Sequence, residues 1–290
     1  MKKTVFTIIF LLLSIIGAGK EIEHKKYNRI ASLTLSGDEM ILGLVSHNRI
    51  VGLSGKINKN PGVSYIIEEA EKFPVVESNI ETMIELEPDL VIAADWIRKE
   101  EMLQIEEAGA NVYTYKTPSS FEEQKALIRK LAAIVKEEEQ GEAIVKDMEE
   151  RLAALQKRIA DEYKGEKLRM MMYTAYETTS GEGTTFNDMV RLIGGINAAA
   201  EAGIKGSEKI SKEKVIEINP DVIIYPIWTD NEDFDKLAAF VVNDPSFETV
   251  KAAKDKKIIP VKYKTTSPTS QYMIDGIEEL GKAVYNLKEE

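Results

Sequence analysis

The chain has 290 residues, a formal net charge of −11 at pH 7 and no cysteine. The lack of cysteine excludes disulfides, cysteine metal sites, a thiol nucleophile and a lipid-modified cysteine. The negative charge argues against partners such as nucleic acid and anionic membrane surfaces, both of which attract basic proteins.

The first 19 residues have the pattern of a secretory signal peptide. Lys2 and Lys3 precede an apolar run over 5–16, and small residues follow at 17–19. The run is shorter than the roughly 20 residues that span a bilayer, although an N-terminal membrane anchor is the alternative. We therefore expect a signal peptide over 1–19 and a mature protein that is free in the periplasm, with no membrane anchor.

Strands and helices alternate in the next segment. The sequence predicts strands at 29–35, 49–53, 90–94 and 111–115, and helices at 38–44 (with Asp38 as N-cap), 99–108 and from 121 onwards. The run at 90–94 is apolar throughout, which is typical of a parallel strand covered on both faces. The alternation predicts an α/β lobe over residues 20–136.

Residues 137–163 predict one long helix. Apolar side chains recur every three or four residues, at Ile144, Met148, Leu152, Leu155 and Ile159. A helix of about 25 residues spans roughly 37 Å at 1.5 Å per residue. We expect it to be a stiff connector between two lobes.

The second lobe is expected over residues 164–290, with strands at 168–174 and 257–261 and helices at 186–193 and 272–287. Residues 79–92 and 211–224 are two copies of one pattern, in which a Glu near the start of a helix precedes a Pro-Asp turn and an apolar strand. A repeat at this separation predicts two similar α/β lobes. The cleft between such lobes is a preferred site for small ligands.

These features resemble the periplasmic substrate-binding proteins that serve ABC importers of ferric siderophores, haem and cobalamin. The resemblance covers most of the mature chain and rests on the order of segments 29–33, 48–52, 194–197 and 243–258 and of both Pro-Asp repeats. It implies two α/β lobes joined by one long helix, with the ligand cleft between them. It also implies a monomeric binding protein without catalytic residues or a cofactor, which delivers a metal chelate or corrinoid to a permease dimer with ATPase subunits.

Glu81 and Glu213 occupy the same position in the two repeats. The resemblance implies that one glutamate at each lobe tip docks on arginines of the permease, where such charges mainly guide association. The alternative is that both acids only stabilise the positive end of a helix dipole.

Candidate ligand-binding residues lie near the carboxyl ends of the predicted strands, the usual site in open α/β sheets. They are Ser36, Lys56, Trp96, Arg98, Tyr173, Tyr176, Trp228 and Tyr263. Flat aromatic faces suit macrocycles and aryl chelates. The alternatives are that the aromatic residues pack internally and that the basic ones are solvated.

The chain has only two histidines, His24 and His47, and bare transition-metal sites usually draw on several His or Cys ligands. We therefore expect no protein metal site and a metal that arrives already chelated. Two other functions stay open at this point. An exported α/β enzyme is disfavoured because no Gly-x-Ser-x-Gly elbow is present, and a ligand-sensing domain would use the same cleft.

Overall fold

The computed structural model describes residues 26–55, 59–76, 80–228 and 242–287. The expected signal peptide and the candidate ligand residue Lys56 lie outside the described residues. Within the described part, the chain forms two α/β lobes, each on its own parallel sheet.

The N-terminal lobe contains a five-stranded parallel sheet with strand order β3-β2-β1-β4-β5. Its strands are β1 (Ile30–Ser32), β2 (Ile50–Ser54), β3 (Val75–Val76), β4 (Leu90–Ala94) and β5 (Asn111–Tyr115). Its helices are α1 (Leu35–Leu44), α2 (Ile67–Ala70), α3 (Ile80–Leu86), α4 (Lys99–Glu107) and α5 (Phe121–Val135), with a 3-10 turn at His47–Arg49. All five residues of β4 are buried, as the apolar run predicts.

The C-terminal lobe contains a four-stranded parallel sheet with strand order β11-β10-β6-β8. These strands are β6 (Arg169–Met172), β8 (Ile196–Asn197), β10 (Val222–Ile227) and β11 (Ile258–Lys262), beside an antiparallel pair of β7 (Thr178–Ser180) and β9 (Ser207–Lys209). Its helices are α7 (Thr185–Leu192), α8 (Ala198–Glu201), α9 (Lys212–Ile218), α10 (Lys251–Lys254) and α11 (Met273–Tyr285), with 3-10 turns at Pro245–Phe247 and Tyr263–Thr265.

The two sheets share one strand order. Strands β2-β1-β4-β5 of the first lobe correspond to β8-β6-β10-β11 of the second, with the repeat strands β4 and β10 in equivalent places. Ile92 and Ile224 therefore lie in separate sheets. The predicted fold class, two similar α/β lobes, is confirmed.

The aspartate of each Pro-Asp turn fixes the first strand of its own lobe. Asp89 accepts hydrogen bonds from the backbone amides of Asn28 and Arg29, both at 2.9 Å. Asp221 accepts one from the backbone amide of Arg169 at 2.8 Å. The repeat therefore has a structural role, because its aspartate attaches the Pro-Asp turn to the neighbouring strand.

The ends of the two repeat helices are closed in the same way. Glu87 and Asn219, one after each helix, have left-handed backbone conformations with φ of 41° and 49°. The guanidinium of Arg29 donates to the carbonyl oxygens of Leu86 and Glu87, and that of Arg169 donates to the carbonyl of Asn219. These bonds satisfy carbonyls that a helix end leaves without intrahelical partners.

The connecting helix is α6 (Glu138–Glu162), 25 residues long. Its buried stripe is Val145, Met148, Leu152, Leu155 and Ile159. Ile144 of the predicted stripe is only partly buried, and Val145 faces the core instead. The stripe belongs to one apolar cluster that also contains Ile92 and Ile224, so the two lobes share a continuous core around this helix.

The sequence prediction for the start of α1 is wrong. The first strand ends at Ser32, and the N-cap of α1 is Thr34, whose Oγ1 accepts from the amide of Gly37 at 3.2 Å. Asp38 lies inside the first turn, and its carboxylate accepts from the amide and hydroxyl of Ser54. Thr34 and Asp38, four positions apart, are both residue types that cap helices; Thr34 caps α1, and the Asp38 carboxylate bonds to Ser54 of β2 instead.

Candidate functional site

A cavity of about 460 Å³ lies between the two lobes. Residues within two positions of the ends of four parallel strands contribute to its wall: Leu33, Gly55, Trp96 and Tyr263. The carboxyl ends of parallel strands meet at one edge of a sheet, and the cavity opens at that edge in both lobes. The position therefore agrees with the cleft that the sequence predicts.

The wall is rich in hydroxyl groups. They come from Ser36, Ser54 and Tyr65 of the N-terminal lobe and from Tyr263, Ser267 and Thr269 of the C-terminal lobe. Glu39 and Lys264 add charged groups, while Trp96, Val63 and Pro268 add apolar surface. Such a wall can hydrogen bond to a polar ligand and can also cover an apolar one.

The first turn of α1 forms a fixed part of the wall. The hydroxyl of Ser36 lies 2.6 Å from that of Tyr115, and the hydroxyl of Thr34 lies 2.8 Å from the same atom. Tyr115 is buried, and this burial raises its pKa against the opposing effect of both hydrogen bonds. Ser36 is therefore held in place at the helix start, where the positive end of the dipole meets the cavity.

A buried carboxyl group lies behind this turn. Glu39 is 3% exposed, and its carboxylate oxygens accept from the hydroxyl of Ser270 at 2.5 Å and the amide of Tyr65 at 3.3 Å. Burial raises the pKa of Glu39 to about 7, although the bonds from Ser270 and Tyr65 act in the opposite direction. A carboxyl group with this pKa exchanges its proton near neutral pH.

Tyr65 and Lys264 join the lobes along one side of the cavity. The ring of Tyr65 stacks on Tyr272 with centroids 4.8 Å apart, and the ammonium of Lys264 lies 4.4 Å from the Tyr65 centroid. Lys264 also donates from its ammonium to the carbonyl of Ser64 and from its amide to the carbonyl of Gly62. Sequence reasoning missed these residues because they lie about 200 positions apart without a motif.

Both tryptophans lie beside this region. Trp96 lines the cavity and is 65% exposed. Trp228 is 40% exposed and stacks on the cavity residue Tyr263, with centroids 3.8 Å apart and an interplanar angle of 18°. The aromatic surfaces that the sequence singles out at these three positions are thus available to a ligand.

Three other candidate residues do not line the cavity. Tyr173 is buried and packs against Phe247 and Tyr225, and burial raises its pKa to about 12. Tyr176 is exposed at a turn, and Arg98 pairs with Glu101 at the start of α4. A ligand-binding role for these three residues, as for Lys56, stays a prediction.

Glu81 and Glu213 lie in the first turns of α3 and α9, and both are exposed. The pKa of Glu213 is lowered by a hydrogen bond from its own backbone amide and by one from Ser211. Ser211 is also the N-cap of α9. The Glu213 contacts fit the helix-dipole explanation, and both glutamates are exposed to a partner.

Within the described ranges, no group of three or more His, Cys, Asp or Glu side chains is arranged to hold a metal ion. His47 is exposed and contacts the edge of Phe73. Among the same residues, no helix combines the length and the apolar character needed to cross a membrane.

Two α/β lobes with matching sheets, one long connecting helix and an interlobe cavity define a bilobed solute-binding protein. The sequence profile described as "periplasmic binding protein" matches residues 30–265, and the chain belongs to this family. The resemblance drawn from the sequence is therefore confirmed.

Curated relatives match this chain in sequence, and solved structures match it in fold. An uncharacterized ABC transporter substrate-binding lipoprotein of Bacillus subtilis, YvrC, is 26% identical over 90% of this chain and 81% of its own length. The molybdate-binding protein MolA of Haemophilus influenzae is 26% identical over 80% of this chain and 71% of its own length. The haem-binding protein RhuT of Roseiflexus superposes with a TM-score of 0.74 at 23% identity, covering 90% of this chain and 98% of that one.

Proposed function

We propose that this protein is the substrate-binding component of an ABC importer, which captures a small metal chelate or corrinoid between its lobes and delivers it to a permease. The observation that carries the proposal is the cavity, which takes hydroxyl groups and aromatic faces from both lobes. Family membership supports the carrier role, since relatives are substrate-binding proteins rather than enzymes.

The chemistry of the cavity wall favours a ligand in which the metal is already chelated. Its volume of about 460 Å³ falls within the range of roughly 300–1,000 Å³ that small-molecule sites occupy. Hydroxyl groups can bond to the carboxylate, phenolate or amide oxygens of a chelator, while Trp96 and the Trp228–Tyr263 stack can cover a flat ring. Relatives are named as an iron-uptake system-binding protein, a molybdate-binding protein and a cobalamin-binding protein.

The ligand class can be tested by titration. Haemin, a ferric catecholate, a ferric hydroxamate, cobalamin and molybdate would each be added to the mature protein, with tryptophan fluorescence and calorimetry recorded together. We expect one class to quench fluorescence and to release or absorb heat at a 1:1 ratio. Variants Trp96→Phe and Trp228→Phe identify the tryptophan that reports binding. If no ligand gives heat or quenching, the proposed ligand class is wrong.

Docking on the permease is proposed for Glu81 and Glu213. The double variant Glu81→Lys/Glu213→Lys should abolish ligand uptake by cells and leave ligand affinity unchanged. The matched control is Glu107→Lys/Glu208→Lys, which reverses one exposed acid on each lobe outside the repeat helices. The docking role is contradicted if the Glu81→Lys/Glu213→Lys variant still takes up ligand, or if the control variant loses uptake to the same extent.

We also propose export to the periplasm with cleavage after residue 19, giving lobes at 20–136 and 164–290 around the connector 137–163. The relative YvrC is named as a lipoprotein, whereas this chain contains no cysteine that could carry a lipid. The mass and N-terminal sequence of the protein from a periplasmic extract test this. An unprocessed chain in the membrane fraction would refute it.

A further inference from the structure

Glu39 connects the two lobes through its side chain and through its backbone. The carboxyl group of this N-terminal-lobe residue accepts from the hydroxyl of Ser270, and its carbonyl oxygen accepts from the side-chain amide of Gln271. Ser270 and Gln271 immediately precede the C-terminal helix. Neighbouring residues of one lobe are thus bonded to a single residue of the other, at the wall of the cavity.

The contacts of Glu39 with Ser270 and Gln271 form an interlobe joint. The second carboxyl oxygen of Glu39 links this joint to the cavity surface. It accepts from the amide of Tyr65, whose ring stacks on Tyr272 and whose hydroxyl donates to the carbonyl of Lys264. Tyr65 and Lys264 both line the cavity. The position of these two wall residues therefore depends on contacts that meet at Glu39.

We propose that Glu39 is a positioning residue that holds the lobes at a fixed separation along this side of the cavity. The connecting helix limits the relative movement of the lobes at one place, and this joint limits it at a second. The proposal does not depend on which ligand the cavity takes.

The charges around Glu39 explain why its proton matters. Asp38 on the same helix disfavours a negative charge there, while Lys264 favours it. The nearby C-terminal and connecting helices carry Asp275 and Arg151, which form an ion pair with each other at 3.0 Å. Burial outweighs all of these effects and keeps the proton bound.

The sign of the pH effect follows from burial. The pKa of Glu39 rises from 4.5 to about 7, so the proton stabilises the joint at low pH and this stabilisation is lost as the pH rises through 7. An ionised carboxylate is stabilised by hydration. Water can reach Glu39 if the segment that contains Ser270 separates from α1. We therefore expect the lobes to be held tightly at pH 5.5 and less tightly at pH 8.5.

The test is an interlobe distance measurement on the mature protein without ligand. The chain has no cysteine, so Gln104→Cys on one lobe and Asp255→Cys on the other, both exposed, can carry two spin labels without other changes. Pulsed electron paramagnetic resonance should give a narrow distribution of label-to-label distances at pH 5.5 and a broader or longer one at pH 8.5. The midpoint of this change should lie near pH 7.

Two variants separate the positioning role from general instability. Glu39→Gln keeps a neutral hydrogen-bonding group and should give the narrow distribution at both pH values, whereas Glu39→Ala should give the broad one at both. His47→Gln changes an exposed histidine that makes none of these contacts, and it should behave like the native protein.

The proposal is overturned if the native distribution is the same at both pH values, or if Glu39→Gln keeps the native pH response. The comparison of the native protein with Glu39→Gln decides the question even if Glu39→Ala does not fold.

Discussion

Replacement of Asp221 by alanine should destabilise the protein by about 2–3 kcal/mol. The carboxylate accepts from the backbone amide of Arg169 at 2.8 Å and pairs with the ammonium of Lys251 at 2.7 Å. A hydrogen bond to a charged group contributes about 1.5–3 kcal/mol when it is partly buried. The Lys251 side chain is 57% exposed, so its ion pair adds only about 0–1 kcal/mol.

Urea unfolding of the mature protein, followed by circular dichroism and tryptophan fluorescence, measures this loss. Lys251→Ala removes only the exposed ion pair and should cost less than about 1 kcal/mol. Asp89→Ala removes the equivalent anchor in the other lobe, with two backbone amides, and should cost about as much as Asp221→Ala. The two probes must give coincident transitions for these free energies to be comparable.

The pH dependence gives an independent check. The pKa of Asp221 lies below its ordinary 3.8, because the Lys251 and Arg169 contacts outweigh the effect of burial. Its contribution is therefore present above pH 4 and is lost as the pH falls further, so native and Asp221→Ala should converge in acid. If Lys251→Ala costs as much as Asp221→Ala, or if the gap does not narrow in acid, the backbone anchor is not the stabilising contact.

Two further outcomes follow from single contacts. Arg49→Met should lower the free energy of unfolding in urea by about 3 kcal/mol. The Arg49 side chain is 6% exposed, and its guanidinium donates to the carbonyls of Tyr27 and Val135. A loss below about 1 kcal/mol would refute this reasoning. Lys212→Ala should raise the pKa of Asp244 from about 2 toward its ordinary 3.8, since the bond from Lys212 is the main cause of the lowering. A carboxyl-carbon NMR titration measures it, and an unchanged value would contradict the assignment.

The sequence predicts the architecture because its signals are local or repeated. The stripe on α6 has the helical period, and the Pro-Asp turns mark the same helix–strand unit twice. The fully apolar run before Trp96 identifies a strand covered on both faces. Boundaries are less certain, as α1 shows: Thr34 and Asp38 are both good caps, and only a contact with Ser54 distinguishes them.

The cavity could be predicted only in part. Trp96 and Tyr263 follow strands of the two lobes, so their place at the cavity is expected from topology. Tyr173 also follows a strand, but it packs into the C-terminal lobe against Phe247, and alternation along one strand does not reveal such packing. The contact of Glu39 with Ser270 joins residues 231 positions apart, and no pattern in the sequence marks it.

The continuous core restricts the order in which the chain can fold during synthesis. The C-terminal helix contributes its buried face to the same apolar cluster as β1, with Met273, Ile274, Ile277, Leu280 and Val284. At typical synthesis rates, tens of seconds separate the ribosomal exit of β1 from that of this helix. The cluster cannot close before this helix is made, so the nascent chain stays incompletely folded until the helix has been synthesised. For a protein that we propose is exported, this delay keeps the chain suitable for threading through a translocation channel.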